Sequence, residues 1–150
     1  MTGSGRGLGR IVAERLLAVG AGVAVHDISE EAPAHYGEAA TLSDVAAALS
    51  AAGGSAIGVT GDISDEAAVA AMVARVEAML GPISILVNCA GGDIGAAGTK
   101  PSPNGALDID LADATAVLQR NFIGTMLMCR AVGIPARYVE GYSMNETDQK

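Results

Sequence analysis

Apolar residues fall along this chain in two alternating arrangements, one with helical spacing and the other as short continuous runs. Between Gly7 and Val19 they recur with the spacing of one helix face, which predicts a helix with that face buried. The run Gly22–Asp27 (GVAVHD) is apolar almost to its end and predicts a short buried strand. The residues expected on the buried helix face are Leu8, Ile11, Val12, Leu16 and Val19.

The same two patterns continue further along the chain. Strands are predicted at residues 55–60 and 83–87, and the second has almost no polar residue, as in the centre of a parallel sheet. Helices are predicted to begin at Thr41, Ser64 and Asp110. Strands that alternate with helices imply βαβ units, so the predicted fold class is a doubly wound parallel α/β sheet.

Two stretches follow neither pattern and are predicted to be loops. Residues 29–40 give no periodicity, and residues 91–110 are rich in Gly and Pro. A loop as long as the second is usually functional or mobile. The helix after it is expected to run to about Val132, so we predict one domain over residues 1–132 and an atypical, partly disordered tail over 133–150.

Composition excludes several classes of protein. An apolar fraction of 50% argues against a disordered chain, and a net charge of −8 without a basic stripe argues against nucleic-acid binding. No run is long enough to cross a bilayer, and Met1 is followed at once by Thr2 and Gly3, which leaves no room for a signal peptide. Cys89 and Cys129 fit a reducing compartment. We therefore expect a cytoplasmic protein, and no metal site is predicted.

A glycine-rich segment, Thr2–Gly9 (TGSGRGLG), leads directly into the first predicted helix. Glycines permit a tight turn and let a phosphate approach the backbone closely. The helix that follows directs free N–H groups and its positive dipole end at that phosphate. The segment therefore predicts a phosphate-binding loop, with a flexible glycine-rich terminus as the alternative. The residues predicted to contact the phosphates are Gly3, Ser4, Gly5, Arg6, Gly7, Leu8 and Gly9.

An acid, Asp27, closes the next predicted strand, at the interval where a carboxylate reaches the adenosine ribose of a dinucleotide. Such a carboxylate accepts hydrogen bonds from both ribose hydroxyls and repels a 2′-phosphate, which favours NAD over NADP. Arg6 argues mildly for NADP, because a cation in the loop can meet that phosphate. We give Asp27 more weight, since a carboxylate that faces a phosphate is unfavourable. The alternative for Asp27 is an ordinary solvated acid at a strand end.

Four separate segments resemble the short-chain dehydrogenase/reductase family. Thr2–Gly9 is similar to its TGxxxGxG loop, and Asp62-Ile63 resembles the pair that lies against the adenine ring. Asn88–Gly91 (NCAG) resembles its NNAG motif with Cys in place of the second Asn, and Asn121 stands where the family keeps a structural and proton-relay Asn. The resemblance implies a Rossmann-like fold, cofactor contacts from Asp62, Ile63, Asn88, Ala90 and Gly91, and a catalytic role for Asn121.

The resemblance implies hydride transfer between NAD and an alcohol or carbonyl substrate, but essential groups are missing from this chain. The family's Tyr is followed four residues later by a Lys that lowers its pKa, because a Tyr with a pKa near 10 is a poor base at pH 7. None of Tyr36, Tyr138 and Tyr142 has a Lys at that position. The family's catalytic Ser has no convincing counterpart, and its first strand, which precedes the glycine loop, is also absent. We therefore expect an incomplete fold and no turnover.

The tail carries a different likeness. Residues 129–142 resemble a segment of transglutaminase-like proteins, whose nucleophilic Cys would fall near Leu118, where this chain has none. The sequence thus leaves three hypotheses: an NAD-dependent oxidoreductase of the short-chain type, a non-catalytic dinucleotide-binding module, and a transglutaminase-like hydrolase. The first implies a small-molecule alcohol or carbonyl substrate and pairing of identical chains through the fourth helix.

Overall fold

The computed structural model describes residues 1–133, in which five α-helices alternate with two parallel strands. Short turns complete the order, a 3₁₀ turn at Ala34–Tyr36 and a π turn at Gln119–Ile123 that joins the last two helices. Residues 134–150, which hold most of the predicted tail, lie outside the described residues. The elements are α1 Gly7–Ala18, β1 Gly22–Asp27, α2 Leu42–Ala51, β2 Ser55–Thr60, α3 Glu66–Leu80, α4 Leu111–Leu118 and α5 Gly124–Val132.

The sheet consists of β1 and β2, which pair in parallel from Gly22 opposite Ser55 to Asp27 opposite Thr60. Helices α1 and α2 pack against it around a core of aliphatic side chains. Burial of such side chains stabilises by roughly 1.5–3 kcal/mol each, so this cluster is the main source of stability in this part of the molecule. Its buried members are Ala13, Leu17, Val23, Val25, Leu42, Val45, Ala46 and Leu49.

The prediction for the buried face of α1 was wrong for four of its five residues, and only Leu16 packs, partly buried, against the core. The side of the helix that enters the core carries Ala13 and Leu17 and the small Gly9, whereas Leu8 is 82% exposed. Small residues occupy this face because the helix begins against the glycine loop. A Cβ on Gly9 would collide with the carbonyl oxygen of Gly3. The larger apolar residues are thereby turned outward, as Ile11, Val12 and Val19 also are.

Acidic and hydroxyl side chains begin the helices as the sequence indicates, with one correction. Thr41 accepts from the Asp44 amide at 3.0 Å, and Asp110 accepts from the Ala112 amide at 2.7 Å. The third helix is capped by Asp65 and not by the predicted Ser64. Ser64 is engaged elsewhere, because its amide and hydroxyl both donate to Asp62 Oδ1.

A second core lies between α3 and α5. Val69, Met72 and Val73 of α3 meet Met128 of α5 and Ile63 from the turn after β2. The helix predicted from Asp110 to about Val132 is present, with the π turn in its middle. No helix in residues 1–133 has the length and apolar character needed to span a bilayer.

The predicted strand at 83–87 is not formed. It forms no ladder with β1 or β2, and the one isolated bridge in the described residues joins Thr2 to Asn88, just after its end. Its side chains Ile83 and Leu86 pack instead against the core between α3 and α5. The Thr2 amide donates to the Val87 carbonyl at 2.9 Å, and the ammonium group of Met1 donates to the Ala24 carbonyl at 3.0 Å. Behind this contact a cavity of about 250 Å³ separates β1 from residues 83–87. The segment lacks a neighbour to pair with, which a strand requires.

Candidate functional site

Three separate parts of the chain meet at the carboxyl ends of β1 and β2. The glycine loop lies between the end of β1 and residues 89–91, and the turn after β2 closes the side. Together they line a cleft of about 550 Å³, which is within the range of small-molecule sites. Crevices at the carboxyl ends of parallel strands are where open α/β sheets bind ligands. The predicted residues in its lining are Gly3, Arg6, Gly7, Gly9, Leu8, Asp27, Asp62, Ile63, Ala90 and Gly91.

Backbone contacts to β1 hold the glycine loop in place. The Ser4 amide donates to the His26 carbonyl at 2.8 Å, and the Ser4 hydroxyl donates to the Met1 carbonyl at 2.8 Å. The same hydroxyl accepts from the His26 amide at 3.1 Å. Ser4 is fully buried, so its predicted role in phosphate contact is replaced by one in fixing the loop to the strand.

His26 is a site residue that the sequence reasoning missed. Its Nδ1 accepts from the Gly3 amide at 3.2 Å, which leaves the proton on Nε2 to be donated to the Gly61 carbonyl at 2.9 Å. Burial lowers the pKa of His26 below its usual 6.5, and the Gly61 carbonyl opposes that shift. A neutral ring therefore ties the glycine loop to the turn after β2. A histidine as the penultimate residue of an otherwise apolar strand was the available signal.

The glycines are required by close approach and by backbone conformation. A Cβ on Gly3 would lie 2.5 Å from the Ala90 amide nitrogen, and one on Gly5 would lie 2.9 Å from Asp27 Oδ2. Gly7 is different, because it has a φ of +55° and its Cβ position meets no atom within 4 Å. The loop is thus packed tightly on its inner side and open at Gly7, as a cradle for a phosphate has to be.

Asp27 and Arg6 form an ion pair at the end of β1. Arg6 Nε lies 3.3 Å from Asp27 Oδ2, and the Asp27 residue is only 5% exposed. The other oxygen, Oδ1, accepts from the Ile28 amide at 2.9 Å. The two residues that the sequence set against each other in the choice of cofactor therefore bind each other.

The loop at 29–40 folds over the glycine loop. The Tyr36 ring lies under the Arg6 guanidinium, with 3.8 Å from Cζ to the ring centroid. Glu38 accepts from the Gly7 amide through both carboxylate oxygens, at 2.8 and 3.0 Å. Sequence reasoning treated this loop as a featureless insertion, because Tyr36 and Glu38 follow no motif.

Residues 88–90 are fastened to the start of the chain. The Ala90 amide donates to Thr2 Oγ1 at 3.2 Å, and the Cys89 amide donates to the Thr2 carbonyl at 3.2 Å. Asn88 Nδ2 donates to Cys129 Sγ of α5 at 3.8 Å, whereas Asn88 Oδ1 is buried and has no hydrogen-bond partner within residues 1–133. Buried polar atoms normally have a hydrogen-bond partner, so this oxygen is available to accept one.

Asn121 lies in the π turn and clamps the Gly-rich loop. Its Oδ1 accepts from the Gly92 amide at 2.8 Å, and its Nδ2 donates to the Gly92 carbonyl at 2.9 Å and to the Val117 carbonyl at 2.8 Å. A Cβ on Gly91 would collide with Asn121 Oδ1. The side chain is fully engaged with the backbone, which supports a structural role.

Asp62 and Ile63 line the cleft in different ways. Asp62 holds Ser64 through its Oδ1, and Ile63 is buried under α5, where a Cβ on Gly124 would lie 2.8 Å from Ile63 Cδ1. The described residues contain no cluster of three or more His, Cys, Asp or Glu that would hold a metal ion.

Comparison with known families gives two matches. The family described as short chain dehydrogenase matches residues 1–136, and the transglutaminase-like superfamily matches residues 124–150. The first covers most of the chain, and the second falls almost entirely beyond the described residues.

Individual relatives agree with the first match. The chain is 38% identical over 133 residues to "Probable oxidoreductase EphD" of Mycobacterium tuberculosis, which covers 89% of this chain and 20% of that protein. It is 31% identical over 140 residues to "Cyclohexanol dehydrogenase" of Rhodococcus sp., which covers 91% of this chain and 50% of that protein. The chain thus spans no more than half the length of these two relatives.

Solved structures show the same likeness. A short chain dehydrogenase from Burkholderia cenocepacia, solved with NADP, superposes with a TM-score of 0.69 at 31% identity, over 88% of this chain and 47% of that one. The citronellol catabolism dehydrogenase AtuB of Pseudomonas aeruginosa superposes with a TM-score of 0.70 at 32% identity, over 87% of this chain and 46% of that one. The two-stranded sheet and its helices are therefore an incomplete form of a Rossmann-like fold.

Proposed function

Because this chain belongs to the short-chain dehydrogenase/reductase family, we propose that its cleft is the NAD-binding half of an oxidoreductase. The family binds nicotinamide cofactors and acts on small alcohols or carbonyl compounds. The observation that carries the proposal is the buried Asp27 carboxylate, which stands at the end of β1 beside a glycine loop that is open at Gly7.

Each wall of the cleft suits one part of the dinucleotide. The amides of Gly7 and Leu8 at the start of α1 would receive the pyrophosphate, as helix N-termini do for anions. Asp27 would accept hydrogen bonds from the adenosine ribose, and Asp62 with Ile63 would border the adenine. Ala90 and Gly91, which line the cleft, would border the nicotinamide side. Asn88 does not line the cleft itself, and we propose that its buried Oδ1 supports this segment from behind.

The preference for NAD rests on the pair of Asp27 and Arg6. A 2′-phosphate would have to sit beside a buried carboxylate, and Arg6 is the cation that is nearest to compensate it. Arg6 cannot serve both groups fully, so the phosphate would bring repulsion that the plain ribose avoids. Two related structures contain NADP, so a comparison of both cofactors on this chain tests the preference.

We propose binding without turnover for the chain as printed. When bound, the cofactor supplies hydride chemistry, and the protein has to supply a proton donor at the substrate oxygen. Tyr36, the one tyrosine in the described residues, lies on Arg6 and has no Lys four residues later. Asn121, which the resemblance implies as a catalytic residue in a proton relay, already donates its side-chain amide to the Gly92 and Val117 carbonyls.

We also propose that identical chains pair through the predicted fourth helix, which corresponds to α4, the π turn and α5. Leu111, Leu118 and Met126 are exposed along residues 111–132 at spacings of seven and eight, which places them on one side of the helix. An apolar stripe of this kind needs a partner surface, and a second copy offers the same stripe. The transglutaminase-like hydrolase is not proposed, since the chain has no Cys near Leu118.

Calorimetric titration of the purified chain with NAD and with NADP tests the proposal. We expect NAD to bind and NADP to bind about tenfold more weakly, since repulsion between two like charges near a protein surface exceeds about 1 kcal/mol and each 1.4 kcal/mol is about a tenfold change in affinity. In Asp27→Asn the gap should close, whereas Glu77→Gln, which removes an exposed charge on α3, should leave it unchanged.

Three outcomes contradict parts of the proposal. Absence of binding to either cofactor refutes the site. Tighter binding of NADP by the unchanged chain refutes the role of Asp27. Oxidation of any member of a panel of alcohols in the presence of NAD would show that a proton donor exists that we have not identified.

A further inference from the structure

The N-terminal amide of α1 that is best placed for a phosphate is occupied by a side chain of the protein. Glu38 holds the Gly7 N–H with both carboxylate oxygens, at 2.8 and 3.0 Å. Gly7 is the first residue of a twelve-residue helix, and its neighbour Arg6 gives no side-chain cap. The carboxylate therefore takes the position at which an anion is most favourable at this helix.

Further contacts hold Glu38 there. The Arg10 guanidinium donates to the Glu38 carbonyl at 3.2 Å and lies 4.0 Å from its Oε2. Two residues earlier, Tyr36 lies against Arg6. The Glu38 side chain is about one-third exposed, so its hold on Gly7 is weakened by water and can be broken.

A carboxylate and a phosphate cannot share one amide proton. Both are anions, both would have to approach the helix along the Gly7 N–H, and each repels the other at hydrogen-bond distance. A dinucleotide that enters the cleft thus meets the Glu38 carboxylate at the point where its pyrophosphate has to bind.

We propose that Glu38 is an internal competitor of the dinucleotide, so that the loop at residues 29–40 has to release Gly7 before the cofactor binds. This inference rests on the proposed function and adds a regulation to the same site. The loop is autoinhibitory, because two of its side chains contact the glycine loop and have to leave it together. Tyr36 lies against Arg6, and Glu38 binds the Gly7 amide. Release also removes the contacts of Arg10 with Glu38, while Arg10 keeps its ion pair with Glu14.

The affinity for NAD in matched variants tests the competition. Glu38→Gln keeps the size of the side chain and removes its charge, and we expect it to bind NAD about fivefold more tightly than the unchanged chain. The control is Glu31→Gln, which removes the same charge from an exposed residue of the same loop and should leave the affinity unchanged. Inorganic pyrophosphate should show the same order of affinities.

The amide signal of Gly7 in a ¹⁵N correlation spectrum gives a second readout. We expect Glu38→Gln to shift this signal without any ligand, because a charged hydrogen bond is lost, whereas Glu31→Gln should not move it. Equal NAD affinity in the unchanged chain and in Glu38→Gln, while NAD does bind, overturns the inference alone. Absence of NAD binding in both chains overturns the proposed function and the inference with it.

Discussion

The two strands that formed and the one that did not differ less in sequence than in surroundings. Gly22–Asp27 and Ser55–Thr60 pair with each other under α1 and α2, and Val25 and Leu42 are completely buried there. Residues 83–87 are at least as apolar, yet Ile85 is 62% exposed and borders an apolar cavity. Apolar character supplies the tendency to form a strand, and a neighbouring edge supplies the hydrogen bonds that realise it.

The largest expected effect compares a truncation in the closed core with one at the open cavity. Leu42→Ala should lower the free energy of unfolding by about 3 kcal/mol, because it opens a void in the closed core. Ile85→Ala should lower it by less than about 0.5 kcal/mol, since that side chain is mostly in water. Urea unfolding of both variants measures the difference, and equal losses would contradict the division into a closed and an open part.

A strand supplied to the cavity should reduce the contrast. Thr2 is opposite Asn88, so a chain extended before Met1 would run beside residues 83–87 and β1 in the same direction. We expect an extension of four alternating Val and Ala residues to raise the free energy of unfolding by roughly 2 kcal/mol through burial of apolar surface. A Gly-Ser extension of equal length is the control, and an equal gain from both would show that the cavity does not take a strand.

The capping correction gives a smaller effect. Asp65→Ala removes the acceptor for the Ala67 and Ala68 amides and should destabilise by about 1 kcal/mol. Ser64→Ala, the neighbouring change at the residue that sequence reasoning favoured, should lose clearly less, because Ser64 contacts only Asp62. The midpoints of thermal unfolding rank the two, and the reverse order would restore Ser64 as the cap.

The smallest effect is expected from pH. The folded pKa of His26 lies below 6.5, so below pH 6.5 the unfolded chain binds a proton that the folded chain does not. The contribution of His26 to stability is therefore full above pH 6.5, falls as the pH is lowered from there, and levels off below the folded pKa. Burial lowers the pKa of the Met1 ammonium from 8.0 as well, so a similar loss begins below pH 8.0. Denaturant midpoints between pH 5 and pH 9 measure both.

A His26→Gln variant separates the two groups. It should remove the loss that begins below pH 6.5 and keep the one below pH 8.0, because the variant lacks the imidazole and retains the Met1 ammonium. An unchanged slope below pH 6.5 would mean that His26 does not carry the effect.

Much of the fold could be predicted because local patterns and caps agree with it. Nearby residues determine the ends of β1 and β2, the cap at Thr41 and the glycine turn before α1. The buried face of α1 and the strand at 83–87 could not be predicted, because both depend on what stands opposite them in space. Apolar spacing identifies a face but not which neighbour it meets.

The site shows the same division. The motif residues Gly3, Gly7, Asp27 and Ala90 meet at one cleft, as the sequence predicts. The residues that sequence reasoning missed, His26 and Glu38, act on the glycine loop from 23 and 31 positions away along the chain. Such contacts carry no fixed spacing, so only the folded arrangement discloses them.

The most direct test of the NAD site is a map of the amide signals that move when NAD is added to the ¹⁵N-labelled chain. We predict that the largest shifts fall on Gly7, Leu8 and Gly9, with Asp27 and Ala90 next, and that residues 83–86 at the cavity do not move. Shifts confined to the cavity, or none at saturating NAD, would contradict the assignment of the cleft as the dinucleotide site.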